Sequence, residues 1–438
     1  MEKKKTPVFV LILGILLAAA LVVALIFGVK ALVNKNDPAA TGEPVNTGEP
    51  ASTGEPVGTG DNGNTDPSAT EPEDPAMTAV RAKDFYTEDE IAADDPRLDE
   101  VVAECGDYTL TNRQAQIFYG MQYVSFMSNY GAYAEYFGLD STKPLKEQAS
   151  MAEGLTWEQY FLMAAMEQFQ QNAGAATAAK KANYVLPEQE QADLEDFLKS
   201  LADEGKSYGF ETADAYLQDS FGSAITFADY ENYLRLYFQA MSYENSIYLS
   251  VDPTDADLQA YVDEHADEFA DMDMEARSID VRHILISYDR DGDGEATDAE
   301  KAEAKTKAEE LLAEYLTDPK EEHFADLANL NSEDPGSNTK GGLYEGVKEG
   351  DMVEAFNDWC FDTARQAGDT GIVETEKYGF HVMYFVGSDL SWKTEARHSI
   401  RMAHTNAFID ELATSYPCTI RYENVVLSPL PMSEASEE

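Results

Sequence analysis

The chain is 438 residues long, which is enough for two or three domains, and its 43% hydrophobic content is sufficient for buried cores. Its 83 acidic and 31 basic residues give a formal net charge of −52 at pH 7. A field of this sign repels nucleic acids and anionic lipid surfaces, so the composition excludes a DNA- or RNA-binding role.

The first 35 residues combine a short basic start with one long apolar run. The run extends from Val8 to Val33, and Lys30 is its only charged residue. Crossing about 30 Å of hydrocarbon takes about 20 apolar residues in a helix, so this run is long enough to span a membrane. Because Lys3, Lys4 and Lys5 precede it, the positive-inside rule places the N-terminus in the cytoplasm. We therefore expect residues 1–35 to be an uncleaved signal anchor with the bulk of the chain outside the cell; a cleaved signal peptide is the alternative.

A polar segment follows at residues 36–78. It contains three copies of Thr-Gly-Glu-Pro, beginning at Thr41, Thr47 and Thr53, and almost no large apolar residue. Such a composition cannot bury a core, which predicts a disordered linker that holds the folded part away from the membrane.

Residues 79–276 have a helical pattern. Thr111 with Gln114 and Thr156 with Gln159 form capping boxes, each ahead of apolar residues spaced three and four apart. Weaker versions of the same signal lie at residues 226–229 and 254–257. The segment is rich in Tyr, Phe and Met, which either fill the cores of small helices or line a groove for unfolded polypeptide.

Two short strand patterns stand about a hundred residues apart, and each carries a histidine. In residues 281–286 the histidine is His283, and in residues 378–383 it is His381; both have aliphatic neighbours on the same strand face. Either histidine alone is typical of a satisfied core residue. Between the strands come a helix pattern, a polar loop at 331–337, Gly341-Gly342, and the segments 350–356 and 371–375.

That order of pieces resembles the parvulin family of peptidyl-prolyl isomerases over residues 277–388. The helical segment before it is similar, more loosely, to the chaperone arm of membrane-anchored PrsA- and SurA-type foldases. The resemblance implies an α+β chain: an N-terminal transmembrane helix and a mostly helical module into which a small α/β parvulin domain is inserted. Residues 389–438, with a predicted helix and a short strand, would then return to complete the helical module.

The resemblance also implies the site residues. His283, Asp334, Thr375 and His381 match the catalytic positions, and Leu343, Met352, Phe356 and Phe361 match the slot for the proline ring. Met352 and Phe356 would lie four apart on one helix turn. One departure is that Leu343-Tyr344-Glu345 follows the two glycines, where the family has Asp-Leu-Gly. Rotation of a prolyl bond needs no nucleophile, so no cofactor is required.

The loop after the first histidine strand carries a separate motif. Residues 289–300 follow the EF-hand calcium pattern, with a glycine at its sharp turn and oxygen ligands at Asp289, Asp291, Asp293, Glu295, Thr297 and Glu300. A solvated acidic turn is the alternative. Because this loop holds aspartates where phosphate-selective parvulins have a basic cluster, phosphate selectivity is not expected.

The chain has three cysteines. Cys360 is predicted to lie on a buried helix face. Cys105 and Cys418 each adjoin a terminal strand of the helical module, so a disulfide between them is one alternative and free thiols are the other.

The sequence thus predicts a foldase, meaning a proline isomerase joined to a chaperone arm. It would bind unfolded or partly folded exported polypeptides with Xaa-Pro bonds outside the cell membrane. The first alternative is a non-catalytic holdase that uses the parvulin domain as a scaffold, and the second is a calcium-responsive surface module. An isomerisation assay separates the first two.

Overall fold

A computed structural model describes residues 75–83, 86–88, 91–222, 224–289, 296–338 and 340–430. The predicted signal anchor lies outside these ranges, and no helix within them has the length and apolarity that crossing a bilayer requires. The predicted linker also lies outside them as far as residue 74. The prediction that residues 75–78 belong to the linker is wrong. These residues lie in α1, which begins at Pro75 and packs on the core through Met77 and Val80.

The described residues form a mixed fold of eleven α-helices and seven β-strands. The helices are α1 (Pro75–Arg81), α2 (Asn112–Tyr130), α3 (Trp157–Lys181), α4 (Glu188–Ser207), α5 (Ala213–Phe221), α6 (Phe227–Leu249), α7 (Asp255–Glu264), α8 (Asp298–Tyr315), α9 (Glu321–Asn331), α10 (Glu354–Phe361) and α11 (Ser391–Ser415). The strands are β1 (Val101–Cys105), β2 (Tyr108–Thr111), β3 (Arg277–Ser287), β4 (Leu343–Lys348), β5 (Thr370–Thr375), β6 (Gly379–Leu390) and β7 (Cys418–Ile420).

Threonine N-caps fix where several helices begin. The predicted capping boxes of α2 and α3 are present, and so are the two weaker ones that open α6 and α7. In each, the threonine hydroxyl accepts from the backbone N–H three residues on, and that residue's side chain accepts from the threonine N–H. In each box two side chains therefore satisfy backbone N–H groups that the helix itself leaves unpaired.

Most of the aromatic residues in the helical region fill a core. Trp157 is fully buried, stacks on Phe161 and packs against Phe126 and Tyr160. Of the two alternatives for the aromatic residues, core filling holds for these. Tyr133 and Tyr136 are the opposite case, with 67% and 85% of their surfaces exposed.

A three-stranded sheet in the order β2-β1-β7 joins distant parts of the chain. β7 pairs antiparallel with β1, and Leu427 forms a parallel bridge with Thr87. Behind this sheet, α11 packs against α3 and α6. The segment after β6 therefore lies against the helices that precede β3.

The second sheet is antiparallel in the order β4-β3-β6-β5. One face packs on α8 and α9 through residues such as Ile284 and Val382, and the other packs on α10 through residues such as Val281 and Met383. Because side chains alternate along a strand, neighbouring residues of β3 and β6 face different layers. His283 and His381 both lie on the α10 side.

One buried carboxyl in the helical region predicts a pH dependence. Glu244 of α6 is 7% exposed, and Gln171 Nε2 lies 3.1 and 3.2 Å from its two oxygens. Burial raises the pKa of Glu244 to about 7, although the hydrogen bond from Gln171 opposes this. In the unfolded chain the carboxyl of Glu244 has its ordinary pKa of 4.5. The free energy of unfolding should therefore fall as the pH rises from 4.5 to about 7, because only the folded state disfavours the ionised form.

Glu244→Gln removes this titration. Relative to the wild type, the variant should gain about 3 kcal/mol in the free energy of unfolding between pH 4 and pH 8. Urea unfolding followed by far-UV circular dichroism at both pH values measures this gain. An equal difference between the two proteins at the two pH values would contradict the prediction.

Candidate active site

Two imidazoles on neighbouring strands form the centre of the site. His283 of β3 and His381 of β6 are 3% and 5% exposed. Their rings stack at a centroid distance of 5.1 Å and an angle of 19°, and their Nδ1 atoms are 2.9 Å apart. Phe356 of α10 packs edge-on against both rings. The two histidine side chains are thus in direct contact.

Hydrogen bonds extend from this pair in both directions. On one side, His381 Nε2 lies 3.0 Å from Thr375 Oγ1, which is also 3.1 Å from the carbonyl of Gly379. On the other, His283 Nε2 lies 3.0 Å from Asp334 Oδ2. The four residues predicted to be catalytic therefore form one continuous chain of contacts.

The loop that carries Asp334 is attached along β3. Glu333 N–H donates to the carbonyl of Leu285, and the N–H of Leu285 donates to Ser332 Oγ. Beyond the loop, Gly342 at φ +72° accepts a hydrogen bond from His283 N–H through its carbonyl. A Cβ on Gly342 would lie 2.2 Å from the carbonyl oxygen of His283, so only glycine fits this close approach.

Asp334 is held as an anion by three donors on one oxygen. His283, the Ser337 hydroxyl at 2.5 Å and the Tyr344 hydroxyl at 3.0 Å all contact Oδ2. Burial alone would raise the pKa of Asp334, but these hydrogen bonds and the charge of His283 hold it well below its usual range. No described residue donates to Oδ1, so that oxygen keeps its capacity to accept a hydrogen bond.

Burial, with the charge of His283 adding to it, lowers the pKa of His381 to about 3, although Asp334 opposes this shift. His381 is therefore neutral near pH 7 and has one N–H. Because the Asp334 carboxylate only accepts, His283 donates through Nε2–H. With His283 neutral, its Nδ1 accepts from His381, and the Thr375 hydroxyl donates to His381 Nε2. With His283 protonated, both bonds reverse, and Thr375 donates to Gly379 O instead.

The predicted proline slot is only partly as expected. Phe356 and Phe361 lie on α10, and Met352 packs with them on the same apolar cluster. Met352 is not on the helix, however, because α10 begins two residues later at Glu354. The half-exposed side chains of Met352 and Phe361 lie beside the buried ring of Phe356.

Leu343 does not line the predicted proline slot. It pairs with Arg282, whereas Tyr344 pairs with Val281, and paired residues project to the same side of a sheet. Tyr344 therefore lies on the histidine face, 5.4 Å from the ring of His283, and Leu343 lies on the opposite face. Tyr344 and Ser337, which contact Asp334, were not among the residues predicted from the sequence. The alternation of β4 against Val281 is a signal that identifies Tyr344, and the Asp-x-x-Ser turn is one for Ser337.

The candidate calcium ligands are only partly described. Asp291, Asp293 and Glu295 lie outside the described residues. Thr297 and Glu300 form the capping box of α8, in which Glu300 Oε2 accepts from Thr297 N–H at 2.8 Å. Within the described ranges, no group of three or more His, Cys, Asp or Glu side chains is placed to hold a metal.

A comparison with protein families identifies this part of the chain. The family model of the PPIC-type PPIase domain matches residues 268–387. Residues 268–387 are a parvulin-type peptidyl-prolyl isomerase domain. The match begins nine residues before the predicted start of this domain at 277 and ends one residue before its predicted end at 388. All four predicted catalytic residues lie within it.

Solved structures give weaker likenesses. PrsA from Bacillus subtilis is 20% identical with a TM-score of 0.33, over 59% of this chain and 88% of that one. A SurA-like chaperone of Campylobacter jejuni is 19% identical with a TM-score of 0.20, over 55% and 90%. A peptidyl-prolyl isomerase from Candida albicans is 20% identical with a TM-score of 0.22, over 31% and 80%. Among curated proteins, none matches the sequence.

The parvulin site can do its chemistry without covalent steps. The barrier to rotation about an amide is about 18–20 kcal/mol and comes from resonance, which is lost in the twisted state. A site that binds the twisted amide better than the planar one gains about tenfold in rate per 1.36 kcal/mol of that preference. An apolar slot at Phe356 for the proline ring and fixed polar groups at Asp334 and the imidazoles supply such a preference.

Tyr344 gives a specific test of this arrangement. Tyr344→Phe keeps the ring against His283 and removes one donor from Asp334, so the pKa of Asp334 should rise. We expect kcat/KM to fall by up to about tenfold at pH 7, since a hydrogen bond to a charged group is lost.

The matched variant is Tyr344→Leu, which also removes the ring and should raise KM further. Rates on a short Xaa-Pro peptide at pH 7 measure both effects. A Tyr344→Phe enzyme with the wild-type kcat/KM would contradict the assignment.

Proposed function

We propose that the chain is a membrane-anchored foldase that isomerises Xaa-Pro bonds in unfolded or partly folded exported polypeptides. The observation that carries the proposal is the parvulin domain, joined in one chain to a helical module with exposed aromatic side chains. Prolyl isomerisation is slow enough to limit the folding of a chain, so an isomerase can accelerate that step. A neighbouring surface that holds such chains would keep their prolyl bonds within reach.

The proposed holding surface is the short 3-10 segment at residues 131–137. Tyr133 and Tyr136 project from it with most of their surface exposed, while Phe137 packs inward on Phe126. Tyrosine offers a broad apolar ring with a polar tip, which suits contacts with varied polypeptides. A non-catalytic holdase would use this same surface, and turnover separates the two functions.

The experiment compares two activities of the full chain. The first is the rate of a refolding reaction limited by a prolyl bond, and the second is suppression of aggregation of a chemically denatured protein. A foldase both accelerates the refolding reaction and suppresses the aggregation. A chain that suppresses aggregation without accelerating refolding would be a holdase.

The double variant Tyr133→Ser and Tyr136→Ser should weaken aggregation suppression and leave turnover on a short peptide unchanged. Leu316→Ser is the matched control, because Leu316 is also exposed, at 57%, but lies at the end of α8 in the parvulin domain. Equal suppression by the double variant and the control would remove the tyrosine surface from the proposal.

The location outside the cell membrane is part of the proposal. It is supported by the apolar run from Val8 to Val33, the preceding lysines and the polar segment that follows. Added protease should digest the bulk of the chain in intact cells and leave a short membrane-bound fragment. Protection of the whole chain would contradict it.

Calcium binding at residues 289–300 is a separate proposal that rests on the EF-hand pattern. Titration of the full chain should give heat at about 10⁻⁴–10⁻³ M calcium, the range of extracellular modules. Glu300→Gln keeps an acceptor for the capping box but removes a ligand charge, so it should abolish the heat. No heat from the wild type at millimolar calcium would mean that the loop is only a turn.

A further inference from the structure

Two cysteines far apart in the sequence face each other across the three-stranded sheet. Cys105 is the last residue of β1 and Cys418 is the first of β7, and the antiparallel register pairs them directly. Paired residues project to the same side of a sheet, so the two side chains are neighbours.

The hydrogen-bond pattern shows which kind of pair this is. Arg421 N–H donates to the carbonyl of Val102 at 2.8 Å, so residues 102 and 421 form a hydrogen-bonded pair. Such pairs alternate with non-hydrogen-bonded ones along an antiparallel ladder, which puts Cys105 and Cys418 in a non-hydrogen-bonded pair. There the Cα atoms are about 4.5 Å apart and the side chains are closest. That spacing lies within the range of about 4.4–6.8 Å that a disulfide spans.

The surroundings of the two thiols favour this contact. Cys105 is 1% exposed and packs in the core, where its Sγ lies 3.4 Å from the carbonyl of Tyr416. Cys418 is only partly buried, so a reagent can reach it. The third cysteine, Cys360, is buried in α10 of the parvulin domain and is not part of the sheet that holds this pair.

We propose that Cys105 and Cys418 are an oxidation site that closes to a disulfide between β1 and β7. Both thiols are free in the structure, which is the reduced form of this site. The oxidant is a disulfide, either of a thiol–disulfide exchange protein or of a small thiol such as glutathione.

The exchange balances in two steps. Cys418 loses its proton, and its sulfur attacks the oxidant disulfide, which releases one thiol and leaves a mixed disulfide. Cys105 then loses its proton and attacks the Cys418 sulfur, which releases the second thiol. The protein loses two electrons and two protons, and the oxidant gains them as two thiols.

This cross-link would join two parts of the chain that lie on either side of the parvulin domain in the sequence. The parvulin domain lies between the two cysteines in the sequence, whereas β1 and β7 lie in one sheet. A disulfide would hold the two ends of the helical region together whatever the state of the segment between them. In the reduced chain only noncovalent contacts join these ends, among them the short β1–β7 ladder and the packing of α11.

The test incubates the purified full chain with oxidised glutathione and then blocks all remaining thiols in denaturant. Mass spectrometry should find one blocked thiol, at Cys360, and a linked pair of peptides that contain Cys105 and Cys418. Three blocked thiols, a glutathione adduct that stays on Cys418, or a link to Cys360 would overturn the proposal.

A second measurement tests the consequence. Oxidation should raise the melting temperature of the helical signal by about 5 °C or more, since a disulfide that closes a long loop restricts the unfolded chain. Cys418→Ser, a small change at a partly exposed position, should show no redox-dependent shift. A wild type that forms the link but melts no higher would overturn the stabilising role.

Discussion

Replacing Asp334 with alanine is expected to lower kcat/KM on an Xaa-Pro peptide by at least about tenfold. The carboxylate is the common acceptor for His283, Ser337 and Tyr344, and its Oδ1 keeps its capacity to accept a hydrogen bond. Without it, three donors lose their acceptor and the orientation of His283 is no longer fixed from Nε2. The substitution therefore changes both the electrostatic potential in the site and the orientation of the two imidazoles.

Asp334→Asn is the matched variant, because it keeps the size of the side chain and an oxygen acceptor but loses the charge. It should fall between the wild type and Asp334→Ala. His404→Gln, on an exposed part of α11, should leave the rate unchanged. Equal rates for the wild type and Asp334→Ala would remove Asp334 from the site.

Ending the chain after Leu390 is expected to abolish the cooperative unfolding of the helical region. This deletion removes α11 and β7, which we propose belong to the helical module with the parvulin domain inserted before them. It also exposes core contacts around Leu427, which is fully buried. Two buried amides lose partners: Asn112 Oδ1 accepts from Val426 N–H, and Gln116 Oε1 accepts from Ser428 N–H, both at 2.8 Å. Unpaired buried amides cost about 1–3 kcal/mol each.

Hydrogen exchange of the α3 amides measures this effect, because α3 lies at the centre of the helical core. Protection should drop sharply in the shortened chain. A chain that ends at Leu430 is the matched control and should keep its protection. Unchanged α3 protection after deletion of 391–438 would mean that the C-terminal segment is not part of the helical module.

The sequence was most informative where one local interaction decides the structure. A threonine followed three residues later by Gln or Asp predicted the starts of α2, α3, α6 and α7, because the capping box needs only four residues. The two histidine strands were likewise predicted from their alternating residues: residues 281–286 lie within β3, and residues 379–383 of the second lie within β6.

It was least informative where a pairing between strands decides the structure. Leu343 and Tyr344 are adjacent, and only the register of β4 against β3 shows which of them faces His283. The same holds for Cys105 and Cys418, whose contact depends on the β1–β7 ladder. The end of the linker was placed too late, because the packing of Met77 on a distant core has no local signal.

Exchange NMR of an Xaa-Pro tetrapeptide with the full chain tests the central claim most directly. Uncatalysed cis–trans exchange takes tens to hundreds of seconds at 25 °C. With the wild-type chain, the exchange rate should rise in proportion to the protein concentration. The rise should be at least about tenfold smaller with Asp334→Ala and the same as the wild type with His404→Gln. Exchange that stays at the uncatalysed rate with the wild-type chain would contradict an active isomerase and leave the holdase function.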